Sequence, residues 1–411
     1  MRFLITTISL LLIPAAIIAQ PKINPITSQD KAFLRFVEKN HQKRLEFSPE
    51  NAAWAGREVK ISELDDISDE QSKKYVAFLH KSLKKLRHFK RSKLNEENQF
   101  NYDFYEITLK EELEIQKFRK YGVLNHFIDF YARFIELMTI RHPSRNKAHM
   151  EAYITRLNAF KKRMDQEIKL QKWRIEQGML SPKFAFEKTI LTSERLLKGY
   201  PLENTKEKHV LLADFIKKTE KLKISKREKE ELINKAEKAL KESVGPAYQN
   251  FLKFLKEKIK TAPEDISLKD YPNGSIYYNF LLRSYTSTRT SAKKVHELGL
   301  REVDRIHGEM RGLMKKIGFQ GTLQEFFQYV RNHPSMKYPN TDEGRQRYLD
   351  ESTEIINNMK KRLNELFTII PKHDIVVKRV EKYREDSAGG AFYNAPARDG
   401  SRPGIFYINY A

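Results

Sequence analysis

Eleven histidines and 54 acidic side chains are the raw material for metal or acid–base chemistry in this 411-residue chain, and their spacing limits what they can do. A zinc site on a helix needs two ligands about one turn apart, because i and i+4 share a face some 6 Å apart along the axis. No two histidines stand three or four residues apart. On a helix, His142 and His149 would lie roughly 10 Å apart and His296 and His307 roughly 16 Å, so neither pair closes on one ion. Glu38 with His41, His126 with Asp129, and Asp304 with His307 have helical spacing, but such pairs are more often surface or capping contacts than catalytic ones. The chain has no cysteine, which removes disulfides, thiolate zinc sites and cysteine nucleophiles together. It carries no G-x-x-x-x-G-K phosphate loop and no G-x-S-x-G elbow. Its lysines are too many and too dispersed to single one out. By residue type and spacing alone, the chain carries no complete catalytic constellation.

The elements that would have to position a site are mostly helical. Apolar residues recur at helical spacing from Ser28, through Phe33, Phe36 and Val37 to Leu45, with Ser48-Pro49 ending or restarting the helix. Further helices are expected from Ser68, from about Asn98 to Tyr121, over Phe127 to Met138 as a buried helix, over Lys147 to Gln177, and from Pro182 to Lys198. Two or three more fill Thr205 to Lys260, with Gly245-Pro246 as the clearest joint. A loop with Pro263 and Tyr271-Pro272-Asn273-Gly274 places a lobe boundary near 261–274. Helices resume over Ser275–Tyr285, Ser291–Ile317, Thr322–Asn332 and Asp342–Phe367. The last stretch alone reads as strands: Val376-Val377 with Val380, then Ala391-Phe392-Tyr393 after Gly389-Gly390, then Ile405 to Ile408. The expected fold class is mainly α, a large multi-helix body with a small antiparallel β-element near the C-terminus.

Lys and Arg outnumber Asp and Glu by 77 to 54, a net charge of +23. The two signs intermingle through most helices, which is the pattern of solvated faces. Lys81 to Lys93 differs, with Lys and Arg and no acid above an apolar stripe of Leu83, Leu86 and Phe89. That reads as an amphipathic helix with a basic outer face, and as a candidate contact for lipid or polyanion. At the N-terminus, Arg2, an apolar run from Phe3 to Ala19 and the polar Gln20-Pro21-Lys22 have the layout of a secretory signal cleaved after Ala19. The run is broken by Thr6, Thr7, Ser9 and Pro14 and is shorter than the roughly 20 residues that span a bilayer. With no cysteine nearby, a lipoprotein anchor is not expected. An exported protein, periplasmic or extracellular, rarely meets nucleic acid, so the basic charge points to anionic envelope surfaces.

One segment carries a likeness to a family. Gly274 to Met310, GSIYYNFLLRSYTSTRTSAKKVHELGLREVDRIHGEM, joins a Gly/Tyr helix start, a Thr-rich linker and a helix with His296-Glu297-Leu298-Gly299-Leu300. The closing stretch follows with Pro396, Asp399-Gly400-Ser401-Arg402-Pro403-Gly404 and Phe406-Tyr407-Ile408-Asn409, and weaker agreement reaches Ser48-Pro49 and Gly178-x-x-x-Pro182. These resemble the bacterial family known as domain of unknown function 885, whose members are grouped with gluzincin-like metallopeptidases. In such peptidases a His-Glu pair and a Pro-Gly-His step, on a helix soon after the Tyr-x-Asn strand, supply the zinc ligands and general base. Here only Tyr410-Ala411 follow Asn409. The resemblance therefore implies one metallopeptidase-like domain over 20–411, incomplete at its C-terminus, inactive alone, with zinc and peptide substrate expected only in a full-length relative. It further implies that Ala391 to Asn394 pairs with the substrate backbone, that Tyr393 and Tyr407 donate to an oxyanion, that Arg402 meets a substrate carboxylate, and that Asn409 is a further substrate-binding candidate. His296 is expected to be hydrogen-bonded inside the scaffold rather than to ligate. The alternative is a non-catalytic helical protein binding anionic envelope surfaces through the Lys81–Lys93 face.

Overall fold

The computed structural model describes residues 26–126, 128–371, 373–382, 385, 388–396 and 402–410. The signal-like segment, Phe127 and the Asp399-Gly400-Ser401 turn lie outside the described residues.

The first unit is built by helices whose starts are written in capping residues. Thr27 and Asp30 close a capping box on α1 (Ser28–Phe47), Ser68 caps α3 (Asp69–Leu86) and Asn95 caps α4 (Glu96–Ile115), each satisfying a backbone N–H that the helix leaves open. The short α2 (Pro49–Trp54) starts at Ser48 with proline in its first turn. Phe33, Leu79, Leu83, Leu86, Tyr102 and Leu109 bury the shared face of α1, α3 and α4. Buried Asp30 fastens that packing by accepting from the Asn95 backbone and the Asn98 side chain, both at 3.0 Å. The basic residues of Lys81–Lys93 lie outside this core, but α3 ends at Leu86, so the expected amphipathic helix covers only the first half of that stretch.

The main core is organised around α6 (Lys147–Glu176), a 30-residue helix. Around it pack α5 (Phe130–Glu136), α7 (Lys183–Arg195), α8 (Val210–Glu220), α9 (Lys226–Ala239) and α10 (Gly245–Lys258). Tyr131, Phe134, Tyr153, Phe160, Phe215, Tyr248 and Phe251 are wholly enclosed there, each contributing roughly 1.5–3 kcal/mol of burial. The expected joint at Gly245-Pro246 is absent. A π-helical turn, Leu240–Val244, runs α9 directly into α10. Proline lacks the N–H and crowds the carbonyl four residues back, and the wider turn ahead of Pro246 relieves both. A Cβ at Gly245 would sit 2.9 Å from Leu202 Cδ2, so the Leu202 side chain would have to give way to any larger residue.

Residues 262–273 cross to the remaining helices. Tyr271 donates to the Leu180 carbonyl at 2.8 Å, and Tyr121 stacks on Tyr277 at 4.4 Å between ring centres, so α11 (Gly274–Thr286) is seated on the body. Beyond it, α12 (Ala292–Lys316), α13 (Leu323–Asn332) and α14 (Asp342–Lys361) bury only Met314, Leu323 and Gly344. Leu298, Leu300, Val303, Ile306 and Leu313 make an apolar stripe on α12 that no described residue covers. His296 is accordingly exposed, not bonded inside a scaffold as its sequence context predicted.

The chain ends in a three-stranded sheet ordered β1-β3-β2, from β1 (Ile375–Arg379), β2 (Ala391–Asn394) and β3 (Gly404–Ile408). It is mixed: β2 and β3 run antiparallel as expected, but β1 and β3 are parallel, so the purely antiparallel expectation is corrected. The intervening chain returns β3 to the middle of the sheet, where Val380, Ile405 and Tyr407 form its buried face.

Candidate functional site

The central strand dictates which groups of β2 are free. Gly404 N donates to Asp374 O and Val380 N to Ile408 O, both at 2.8 Å, so the even-numbered residues of β3 face β1. Asn409 N donates to Gly390 O at 2.8 Å, so the odd-numbered residues face β2. With Phe392 opposite Tyr407 and Asn394 opposite Ile405, the backbone groups of Phe392 and Asn394 point into the sheet. Those of Ala391 and Tyr393 point outward, and no described residue bonds to them. β2 is therefore an edge strand with an open register of donors and acceptors, the arrangement an extended chain can join.

The other sequence-named residues fall into two groups. Tyr393 is half exposed and its ring lies over Gly404, where a Cβ would come within 2.5 Å of its hydroxyl. Arg402 donates to the Ala395 carbonyl at 2.8 Å and borders a cavity of about 330 Å3 with Glu58, Arg141 and His142. Tyr407, by contrast, is buried against Phe392 and donates to Glu381 at 3.2 Å, and Asn409 holds the turn by donating to Glu385 O at 2.7 Å and Ala388 O at 3.2 Å. Ala391 and Tyr393 thus sit together on the rim, with Tyr407 and Asn409 behind them.

The edge is held against the body by a chain of polar contacts. Asn394 Nδ2 donates to Glu136 Oε1 at 3.2 Å, and Glu136 is paired with Arg141 at 2.9 Å in a buried site. A π-helical turn, Leu137–Arg141, brings Arg141 back toward Glu136. The guanidinium carbons of Arg133 and Arg141 lie 3.6 and 4.3 Å from the Trp54 ring centre.

Behind this contact lies a buried network centred on Arg156. Its Nε donates to Glu63 O at 3.0 Å and its Nη2 to Pro49 O at 3.4 Å, while Nη1 meets His142 Nδ1 at 3.2 Å. Arginine only donates, so His142 Nδ1 accepts and Nε2 carries the proton that goes to His149 O at 2.8 Å. Burial, with Arg156 beside it, draws the His142 pKa down to about 3, and the ring is neutral. Glu50 and Asp65 clasp each other through their backbones: Glu50 N donates to Asp65 Oδ1 and Asp65 N to Glu50 Oε1, both at 3.0 Å. Burial and then the neighbouring Asp65 carboxylate push Glu50 up to about 7, against the pull of Arg163 at 3.4 Å. Burial likewise pushes Asp129 up to about 6, though Tyr131 donates to it at 2.6 Å.

These residues do not form a zinc site. Both ring nitrogens of His142 are engaged, His149 Nδ1 accepts from Arg145 N at 3.2 Å, and among the described residues no three His, Asp or Glu side chains are placed to hold an ion. Sequence reasoning missed Glu50, Asp65, Arg156, Arg163 and Glu136. A signal did exist for two of them: Arg156 and Arg163 stand on the same helical stripe as Tyr153, Phe160 and Met164, which a solvated arginine would avoid.

The model of a bacterial protein family of unknown function, DUF885, matches residues 49–411. Among solved structures, a "putative lipoprotein" from Colwellia psychrerythraea superposes with a TM-score of 0.82 at 21% identity, over 93% of this chain and 68% of its own. A "putative lipoprotein of unknown function" from Shewanella oneidensis gives a TM-score of 0.61 at 15% identity, over 92% of this chain and 64% of its own. At such identities the likeness concerns the fold. A search of curated proteins returned no match.

Proposed function

We propose, because the chain belongs to the DUF885 family of bacterial proteins, that it is an exported protein whose β2 edge receives the backbone of an extended peptide. The observation that carries this reading is that the outward-facing backbone groups of Ala391 and Tyr393 bond to no described residue, on a strand anchored to the body through Asn394 and Glu136. Main-chain groups supply affinity in such an addition, and side chains beside the edge, here Tyr393 and Arg402, supply selection. The signal-like N-terminus supports export, as does the description of the two structural neighbours as lipoproteins. The 411 residues contain no cysteine to carry an acyl chain.

The finer reading is that this edge is one wall of a metallopeptidase cleft, a view that rests on the family resemblance. The described donor set does not fit zinc, so no hydrolytic step is assigned to these residues. This chain spans about two thirds of the length of each structural neighbour, and the chemistry of a longer relative is part of the proposal. Tyr393→Pro tests peptide binding directly. It removes an outward N–H at an edge position where proline is tolerated, and should abolish peptide binding while the far-ultraviolet circular dichroism is kept. Unchanged affinity would refute the edge, and hydrolysis with stoichiometric zinc would refute the lack of chemistry in this chain.

A second reading is favoured by one surface. Arg87 and Arg91 are drawn to Glu106 and Asp103 of α4, but Lys81, Lys84, Lys85, Lys90 and Lys93 make no ion pair among the described residues. That leaves a basic face suited to anionic lipid or polymer. Reversing Lys84 and Lys85 to Glu should weaken retention on anionic vesicles, and unchanged retention would remove this reading.

A further inference from the structure

Two cavities meet inside the helical body at Arg174, in the last turn of α6. The larger, about 490 Å3, opens between α1, α3 and α6, with Phe47, Tyr75, Arg119 and Leu170 in its wall. The smaller, about 310 Å3, contains the acids Glu50, Asp129 and Glu167. Arg174 borders both, together with Asn51, Ile67 and Leu170.

Its guanidinium is distinguished by what it lacks. Arg44 is paired with Glu112, and Arg119 with Asp69 and with the Ile67 carbonyl at 2.9 Å. Arg174 makes no hydrogen bond or ion pair through its side chain with any described residue, and its Nε is both shielded from solvent and unsatisfied. Glu167 and Asp129 attract it from beyond ion-pair distance, and the nearby Arg119 repels it. Burial draws its pKa down, as expected of a cation withdrawn from water without a partner.

The chain also makes room for the guanidinium at this position. Gly122 lies directly under the guanidinium, and a Cβ there would stand 2.4 Å from Arg174 Cζ. Any other residue at 122 would push the group aside. An unpaired arginine, a backbone recess beneath it and a cavity within the usual size range for small ligands all converge on one point.

We propose that Arg174 is the anion-binding centre of a small-molecule site in the larger cavity, receiving the carboxylate or phosphate oxyanion of a ligand of roughly dipeptide size. Phe47, Tyr75 and Leu170 would face the ligand's apolar part, and Arg119 would stand as the second cation at the anion. The smaller cavity, with Glu50, Asp129 and Glu167 in its wall against Asp66 alone in the larger, is the poorer place for an anion. No residue of β2 lines the larger one, so the site is separate from the peptide edge and stands or falls independently of it.

Calorimetric titration of the full chain at matched ionic strength tests this with three probes: inorganic phosphate, N-acetyl-alanyl-alanine with a free carboxylate, and its uncharged amide. Saturable one-to-one binding of phosphate or of the free acid, but not of the amide, is expected, and the anion that binds identifies the source. Arg174→Met should weaken that binding by about tenfold or more, the scale of a lost hydrogen bond to a charged group. It should also raise the melting temperature of the empty protein, because it removes an unpaired cation, a response a merely structural arginine would not give. Gly122→Ala, which keeps the charge but displaces the guanidinium, should show the same loss of affinity. No saturable binding of either anion, or affinity unchanged from that of the native protein in both variants, would overturn the proposal.

Discussion

Replacing Arg156 by Met tests the buried support of the site most severely. The side chain is fully enclosed, and the substitution keeps its apolar bulk while deleting every donor. It strands three acceptors, Glu63 O, Pro49 O and His142 Nδ1, and it removes a cation near the Glu50 and Asp65 carboxylates. Breaking a buried charge network by removing one partner costs about 3–5 kcal/mol, much of it the penalty of what stays behind. With an unfolding entropy of about 2.1 cal/mol/K per residue over 411 residues, that loss lowers the melting temperature by roughly 4–6 °C. The loss should also depend on pH. Below pH 7 Glu50 takes up a proton in the folded protein and needs its cation less, so Arg156→Met should be milder at pH 5.5 than at pH 8. Scanning calorimetry at the two pH values measures both effects. A shift under about 1 °C, or the same shift at both, would show that Arg156 does not hold the network together.

Other consequences follow from the same contacts. Glu50 has a folded pKa raised above its ordinary value, so it favours the folded state at low pH and loses that contribution as pH rises from about 4.5 to about 7; Glu50→Gln, neutral throughout, should melt a few degrees above the native protein at pH 8 and equal to it at pH 5. His142 acts with the opposite sign: its depressed pKa means that stability is lost as pH falls from about 6.5 toward 3, so below pH 5 the melting temperatures of Glu50→Gln and of the native protein should fall together, and divergence there would count against this assignment. Tyr131→Phe removes a hydroxyl that donates to Asp129 at 2.6 Å and accepts from Asn125 N at 3.0 Å, and should cost about 1–3 kcal/mol by urea unfolding, with a cost near zero counting against this bridge.

The helices were legible because their causes are local. Thr27, Ser68, Asn95 and Thr322 each stand where a cap is needed, and the apolar spacing behind them repeats at helical period. The edge strand was legible for the same reason, since Ala391-Phe392-Tyr393 follows a Gly-Gly break. What stayed hidden depended on distant partners. Parallel pairing of β1 with β3 is decided by the path of the chain between them and not by either strand. The roughly 10 Å separation inferred for His142 and His149 assumed a common helix, yet α6 begins only at Lys147, and the preceding turn folds the His142 ring onto the His149 carbonyl. Gly245-Pro246 reads as a break unless the π-turn before it is known. Arg156 and Arg163 carry a sign of burial in their place on the apolar stripe of α6, but apart from Glu167 on the same helix their carbonyl and carboxylate partners were hidden, because these come from the 48–65 segment, about a hundred residues away in sequence.

The account rests on Ala391 and Tyr393 offering their backbone to an extended chain. Amide-resolved hydrogen exchange by NMR, on the full chain with and without a saturating blocked hexapeptide of alternating Val and Thr, tests it most directly. The amides of Ala391 and Tyr393 should be slowed by the peptide, while those of Phe392 and Asn394, already bonded to β3, should exchange as before. Unchanged exchange at Ala391 and Tyr393 with peptide bound would contradict the edge-strand reading.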